Sequence, residues 1–293
     1  MTLRSPARAG SFYPADASAC RSLVEECIGR ARVLNEPGGE VLGGIVPHAG
    51  WVYSGPTAAS LLKALREKSA VAASFVLFGA VHSWGVSGAA MQSEGAWSTP
   101  LGDVPVDEDL AATILAECGP AVADRAAAHN GEHSIEVQIP FLQVLFDKPK
   151  IVPIAMPPEA EPVAVGECVG KVLAGLGRPV AVVGSTDLTH YGTGFYGWAP
   201  KGTGDEAHRW VKEVNDRRII DMMLELAAGK VVDEARESRS ACGAGAVAAT
   251  IAACRAMGAT RATLLDQTTS YEAGGSRGEA SDFVGYAAVS FEH

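Results

Sequence analysis

Three short apolar runs, each delivering a polar side chain just past its end, constrain what this chain can fold into more than any other feature. Val41 to Val46 leads into Pro47-His48-Ala49-Gly50, Ser74 to Ala80 into Val81-His82-Ser83, and Pro179 to Gly184 into Ser185-Thr186-Asp187-Leu188-Thr189-His190. Runs without polar alternation read as strands buried on both faces, the pattern of parallel sheets covered by helices. Ala58, Leu61, Leu62 and Leu65 then place a helix over Thr57 to Glu67, which puts His48 in a βα loop. Ligands of open α/β sheets bind beyond the carboxyl ends of the strands. One histidine there is as readily a turn residue, but histidine or aspartate at the same place in three units points to a shared polar site.

The rest of the chain supports the same class. Asp16 or Ser18 caps a helix running to about Val33, and Asp107 caps a helix over Leu110 to Cys118. Ile135, Ile139, Leu142, Leu145 and Phe146 follow helical spacing, with a bend expected at Pro140. Lys150 to Met156 reads as a strand, and Val163 to Leu176, Asp205 to Ala228 and Ala246 to Met257 as helices. Thr260 to Ala273 and Asp282 to Phe291 read as antiparallel strands around a Gly274 to Gly278 loop. The Gly- and aromatic-rich stretch Gly192 to Gly204 suits a lid. These elements imply a single three-layer α/β domain over residues 1–293, a mixed central sheet flanked by helices.

With 47% hydrophobic and 20% charged residues, the chain has ample core. Its net charge of -10 argues against nucleic acid as a partner, since phosphate binding needs a basic face. The N-terminus lacks the apolar core of a secretory signal, and no apolar run is long enough to span a bilayer. A cytoplasmic location and no membrane association are expected. None of the six cysteines forms a C-x-x-C pair or a compact disulfide spacing. Cys20, Cys27, Cys118, Cys168 and Cys254 fall in amphipathic stretches, as small buried hydrophobes do.

Gly243-Ala244-Gly245-Ala246-Val247-Ala248 matches a dinucleotide fingerprint, with Asp266 about where a ribose-binding acid would stand. The mechanism needs a strand feeding the glycines, and Glu237 to Cys242 is not one. The glycines instead allow a tight turn into a helix, leaving Cys242 just before its N-terminus, where a thiol is readily a thiolate. Ser185 lacks the G-x-S-x-G frame of a nucleophile elbow. His48, His82, Asp187, His190 and Cys242 therefore remain as site candidates, with His133 as an outer candidate. Imidazole with thiolate suits iron, copper or zinc, and the anionic third ligand is Cys242 or Asp187. Trp51 and Tyr53, just after His48, are candidate pocket walls.

PHAGWVYSG, the VHS at His82, HNGEHSIEVQIPFL, STDLTHYG, ACGAGA and the closing SDFVGYAAVSF resemble the MEMO family, known in prokaryotes as AmmeMemoRadiSam system protein B. The similarity runs from RSPARAGSFYP to the C-terminus. It implies the fold of class III extradiol dioxygenases, whose members hold non-haem Fe(II), and implies radical-SAM and AMMECR-type partner proteins. By position, His48, His82 and Cys242 match the family's metal ligands, and Asp187 and His190 its other pocket residues. Cysteine stands where the dioxygenases use a carboxylate, and the softer thiolate shifts preference towards copper or iron. The expectation is a metal-dependent oxidoreductase acting on a small molecule or peptide, with Asp187, His190 or His133 moving protons. A zinc hydrolase built on the same ligands and a non-enzymatic metal-binding partner of a radical-SAM protein are the alternatives.

Overall fold

The computed structural model describes residues 2–69, 73–83 and 85–293. Its strands are β1 (Leu3–Arg4), β2 (Val41–Val46), β3 (Ser74–Gly79), β4 (Ala89–Met91), β5 (Ala96–Thr99), β6 (Gly102–Pro105), β7 (Val122–Asp124), β8 (Lys150–Ala155), β9 (Val180–Ser185), β10 (His190–Tyr191), β11 (Arg261–Thr269) and β12 (Phe283–Glu292). Its helices are α1 (Ala17–Arg30), α2 (Trp51–Lys68), α3 (Glu108–Cys118), α4 (Ile139–Leu145), α5 (Pro162–Ala174), α6 (Asp205–Trp210), α7 (Asp216–Leu224), α8 (Ala228–Ser238), α9 (Ala244–Ala256) and α10 (Ser270–Ala273).

β2, β9, β3 and β8 lie side by side and parallel, with β9 inserted between β2 and β3. Antiparallel β4 extends this core beyond β8, and antiparallel β12 extends it beyond β2, carrying β10 and β11 with it. Side chains alternate across the sheet with the strand period of two. Val76, Phe78, Val152, Ile154 and Val182 enter one core, against α5 and α9. Phe75, Leu77, Ile151, Ala181 and Val183 enter the other, against α1, α2 and α4. The result is the three-layer α/β arrangement with a mixed sheet. No described helix is long and apolar enough to cross a membrane.

Several local expectations are corrected by tertiary structure. α2 begins at Trp51, not Thr57, because Pro56 sits inside the helix at the loss of one backbone bond. Pro140 lies in the first turn of α4 instead of bending a longer helix, since its missing N–H falls where no partner is required. The long pattern from Asp205 is broken by a π turn at Val211–Asn215 and by Leu226 at φ 53°. The extra residue of the π turn re-aims Asn215 and Asp216. Asn215 Nδ2 donates to Thr189 Oγ1 (2.9 Å) and Asp216 Oδ1 accepts from Thr189 N–H (3.0 Å), fixing the segment that carries Asp187 and His190.

Cys118 and Cys168 are not isolated core cysteines. Packing of α3 against α5 brings their Cα atoms to 5.9 Å, and they form a disulfide closing 50 residues of chain. Such a crosslink restricts the unfolded ensemble and contributes about 2–4 kcal/mol. Reduction, or Cys118→Ala with Cys168→Ala, is expected to lower the melting temperature by roughly 4–8 °C in a chain of this size. A melting curve indifferent to reductant would contradict this.

Candidate metal centre

Because β9 lies between β2 and β3, the chain leaves three adjacent strand ends at one point. His48 follows β2, His82 follows β3, and Asp187 follows β9. Cys242 arrives from the opposite layer, just before Gly243, the N-cap of α9. Gly243 permits this approach: a Cβ there would collide with the Ser185 carbonyl oxygen. Gly243 N–H donates to Thr186 Oγ1 (2.9 Å) and Cys242 N–H to Asp187 O (3.2 Å), so the cysteine loop is fastened to the end of β9.

The ligand atoms of His48, His82 and Cys242 lie within 4.8 Å of one another, and His48 Nε2 is 3.2 Å from Cys242 Sγ. Hydrogen bonding around the ring settles which nitrogen of His48 carries its proton. Ser185 Oγ donates its one hydrogen to the Ser134 carbonyl (2.8 Å), so it accepts from His48 Nδ1 (2.8 Å) and leaves Nε2 bare towards the sulfur. Burial, then the charges of His82 and His133, push the His48 imidazolium well below its usual range, keeping the ring in its metal-binding form.

Glu132 performs the corresponding task for His82. Its carboxylate lies 3.1 Å from His82 Nδ1 and accepts backbone N–H groups from His82 (2.7 Å), His133 (2.8 Å) and Ser134 (2.9 Å). Nε2 is thereby left for the side of Cys242. Burial opposes the Glu132 charge, yet His82 and these N–H groups hold the carboxyl well below the usual carboxylate range. Burial likewise opposes the His82 imidazolium, but the neighbouring Cys242 and the hydrogen-bonded Glu132 carboxylate raise it to about 10. The Glu132 carboxylate places negative charge directly behind the ligand cluster, which suits a cation there. Two imidazoles oriented by outer partners and one sulfur fit an iron, copper or zinc ion.

Asp187 lies outside this ligand cluster. Its Oδ1 accepts His48 N–H (2.7 Å), and burial drives its carboxyl up to about 7 against the pull of the His48 and Ala49 N–H groups and of His82. His190 donates Nδ1–H to Leu188 O (3.1 Å), which leaves Nε2 as an acceptor, and burial lowers its pKa. His133 stacks on His82 with centroids 4.8 Å apart. Burial, with His82 and Arg8, takes its imidazolium down to about 4 despite Glu132.

Above the cluster opens a cavity of about 710 Å³ walled by Phe12, Tyr53, Tyr196, Phe283 and Tyr286 and floored by His48, His82, His133, Asp187 and His190. Tyr53 lines the cavity. Trp51 does not: it is 2% exposed, stacked on Tyr13, edge-on to Phe141, and donates Nε1–H to Val137 O. The first turn of α2 directs it into the core. Within the Gly192 to Gly204 loop, Phe195 and Tyr196 line the cavity, whereas Trp198 packs on Tyr191 and Trp210.

Sequence reasoning missed Glu132, Ser134 and Ser185 as orienting residues. Glu132 stood in plain view between His129 and His133, but nothing in its spacing linked it to His82, fifty positions earlier. Glu132→Gln should weaken metal affinity about 10–100-fold, the usual effect of losing an outer-sphere partner. Competition with a chelator measures it, and unchanged affinity would show that Glu132 does not orient His82.

Comparison with known proteins agrees with this architecture. The family model described as Memo-like protein matches residues 4–290. A MEMO1 family protein of Methanopyrus kandleri is 38% identical over 98% of both chains, and one of Pyrococcus abyssi is 40% identical over 98% of both. A third, from Thermococcus onnurineus, is 39% identical over 99% of both. With a family match across nearly its whole length and relatives of this similarity, the chain belongs to the Memo-like protein family.

Proposed function

We propose that this chain is a non-haem metal-dependent oxidoreductase holding one iron or copper ion through His48, His82 and Cys242. The observation that carries the reading is the fixed tautomer of His48, whose bare Nε2 faces Cys242 Sγ at 3.2 Å while Ser185 holds Nδ1. An ion bound there would supply redox and Lewis-acid chemistry at the floor of the cavity.

The protein's own groups supply binding and proton movement. The aromatic walls take up a small molecule or a peptide end and exclude water from the floor. His190 offers Nε2 as the general base, since Leu188 O engages its other nitrogen. Asp187 is anchored by the His48 N–H and stands beside the same floor, where its carboxyl can hold the proton that His190 releases.

Metal analysis of protein purified with and without oxygen tests the proposal. The expected result is about one equivalent of iron or copper per chain from at least one preparation, with bound metal changing oxidation state on exposure to oxygen. Zinc alone, with no response to oxygen, would replace this reading by a hydrolytic one. No bound transition metal in either preparation would overturn both.

A further inference from the structure

The Gly- and aromatic-rich stretch from Gly192 to Gly204 divides into a fixed base and a projecting tip. Trp198 packs on Tyr191 and Trp210, and Tyr191 Oη accepts from Lys201 N–H (3.0 Å) and donates to Gly202 O (2.9 Å), so the chain from Trp198 onward is tied to the body. Gly192 and Trp198 exchange both backbone hydrogen bonds, each 2.8 Å, which closes residues 193–197 into a hairpin tip. The tip is held more lightly. Asp282 Oδ1 accepts the N–H groups of Gly194 (3.0 Å) and Phe195 (2.9 Å), and both bonds are exposed to water. Tyr196 lies edge-on to His190 with centroids 5.0 Å apart.

Phe195 is 88% exposed, although it lines the cavity above the metal cluster. Val52 (59%) and Tyr53 (45%), in the first turn of α2, line the same cavity and are exposed as well. Single apolar side chains on a surface need no explanation, but these form two lips of one mouth, one on the loop and one on α2. Each lip would remove apolar area from water by meeting the other. The backbone permits the movement. Gly192 (φ 138°) and Gly197 (φ 65°) flank the tip in left-handed backbone, which glycine adopts and leaves without a Cβ penalty, and a Cβ on Gly192 would collide with the Asp282 carboxylate. The three residues from Gly192 to Phe195 span up to about 10 Å, comparable with the width of a cavity of about 710 Å³.

We propose that residues 193–197 form a lid that closes by leaving Asp282 and laying Phe195 on Val52 and Tyr53. Asp282 is then the latch of the open form: its bonds to Gly194 and Phe195 break on closing, and water takes their place. The closed lid shuts water out of the floor where His190 and Asp187 handle protons. That use of the lid rests on the function proposed above; the movement itself does not.

Disulfide trapping in the full-length protein as purified reads the movement alone. Val52→Cys with Phe195→Cys, under oxidised glutathione, should give a crosslink between the two introduced thiols, identified by peptide mass spectrometry. Both positions are exposed, so the fold should tolerate the changes. The thiols can join only when their Cα atoms come within about 7 Å. Adding Asp282→Ala should speed crosslinking at least about fivefold, the worth of an exposed hydrogen bond or two. Arg277→Cys with Phe195→Cys is the control, since Arg277 lines the cavity from the Gly274 to Gly278 loop, and it should crosslink more slowly than the Val52 pair. No crosslink to position 52, an unchanged rate with Asp282→Ala, or equal rates for the two pairs would overturn the proposal, the last because a merely loose tip visits both sides alike. Metal content is measured separately, so failure of the lid and failure of the proposed function are told apart.

Discussion

His48→Ala and Cys242→Ser should each abolish stoichiometric metal loading in protein that remains folded, while Cys254→Ser, at a cysteine buried in the core, should load fully. Losing even an outer partner of a ligand commonly costs about 10–100-fold in affinity, so losing a donor atom should cost more than about 100-fold. A serine hydroxyl stays protonated near neutral pH and is a poor ligand where a thiolate is a strong one. Cys242 is partly exposed at a loop end, so its replacement leaves the core intact. His48 is buried, but Ser185 keeps its bond to Ser134 O when the imidazole is removed. Cys242→Asp restores two histidines and a carboxylate and is expected to retain Fe(II) better than Cys242→Ser. Metal content per folded chain, with melting temperature beside it, is the measurement. Full loading in Cys242→Ser together with loss in His48→Ala would remove the sulfur from the ligand set and bring Asp187 into it.

The largest effect on stability is expected at Glu136. This fully buried carboxylate accepts from Arg4 Nη1 (2.9 Å), Tyr13 Oη (2.7 Å) and the N–H groups of Ala7 (2.7 Å) and Arg8 (2.8 Å). Arg4 in turn donates to the carbonyls of His129 and Glu132 and lies over the Trp97 ring at 4.1 Å. One acid therefore straps residues 4–13 across the segment that carries Glu132 and His133, and places Phe12 edge-on to His133. Glu136→Ala leaves the guanidinium buried without its counter-charge, a change that costs about 3–5 kcal/mol. A fall of roughly 6–10 °C in melting temperature is expected, with faster proteolysis of the N-terminal strap. Glu136→Gln keeps the shape and part of the accepting capacity and should fall between. A melting temperature within about 1 °C of the parent in Glu136→Ala would show that the strap is held by other contacts.

How much of this was legible beforehand follows from the range of the forces involved. The apolar runs at Val41–Val46 and Ser74–Gly79, the Asp107 cap and the antiparallel β11–β12 pair are local patterns, and the structure contains each of them. What leads into Gly243 was also legible from local context: α8 and a loop precede it, not a strand. Family resemblance gave the fold and proposed the ligand set, and His48, His82 and Cys242 do converge.

What remained hidden was set by partners distant in sequence. Parallel strands carry no mark of their neighbours, so nothing announced that β9 would lie between β2 and β3 and bring Ser185 under His48. A cysteine on an amphipathic helix looks the same whether it is a small hydrophobe or half of a crosslink, and only the packing of α3 on α5 joined Cys118 to Cys168. Trp51 seemed a pocket residue from its place beside His48, until Tyr13 and Phe141 closed around it. Arg4 and Glu136 are ordinary charges in the sequence; burial on both sides of a 132-residue separation makes them a structural pair. The sequence alone determined the main strands and helices, though not all their bounds, and where reactive side chains leave them, because hydrophobic period and capping act over a few residues. The tertiary structure alone decided which of those side chains meet, which tautomer each histidine holds and which charges are buried, because those depend on strand order and packing.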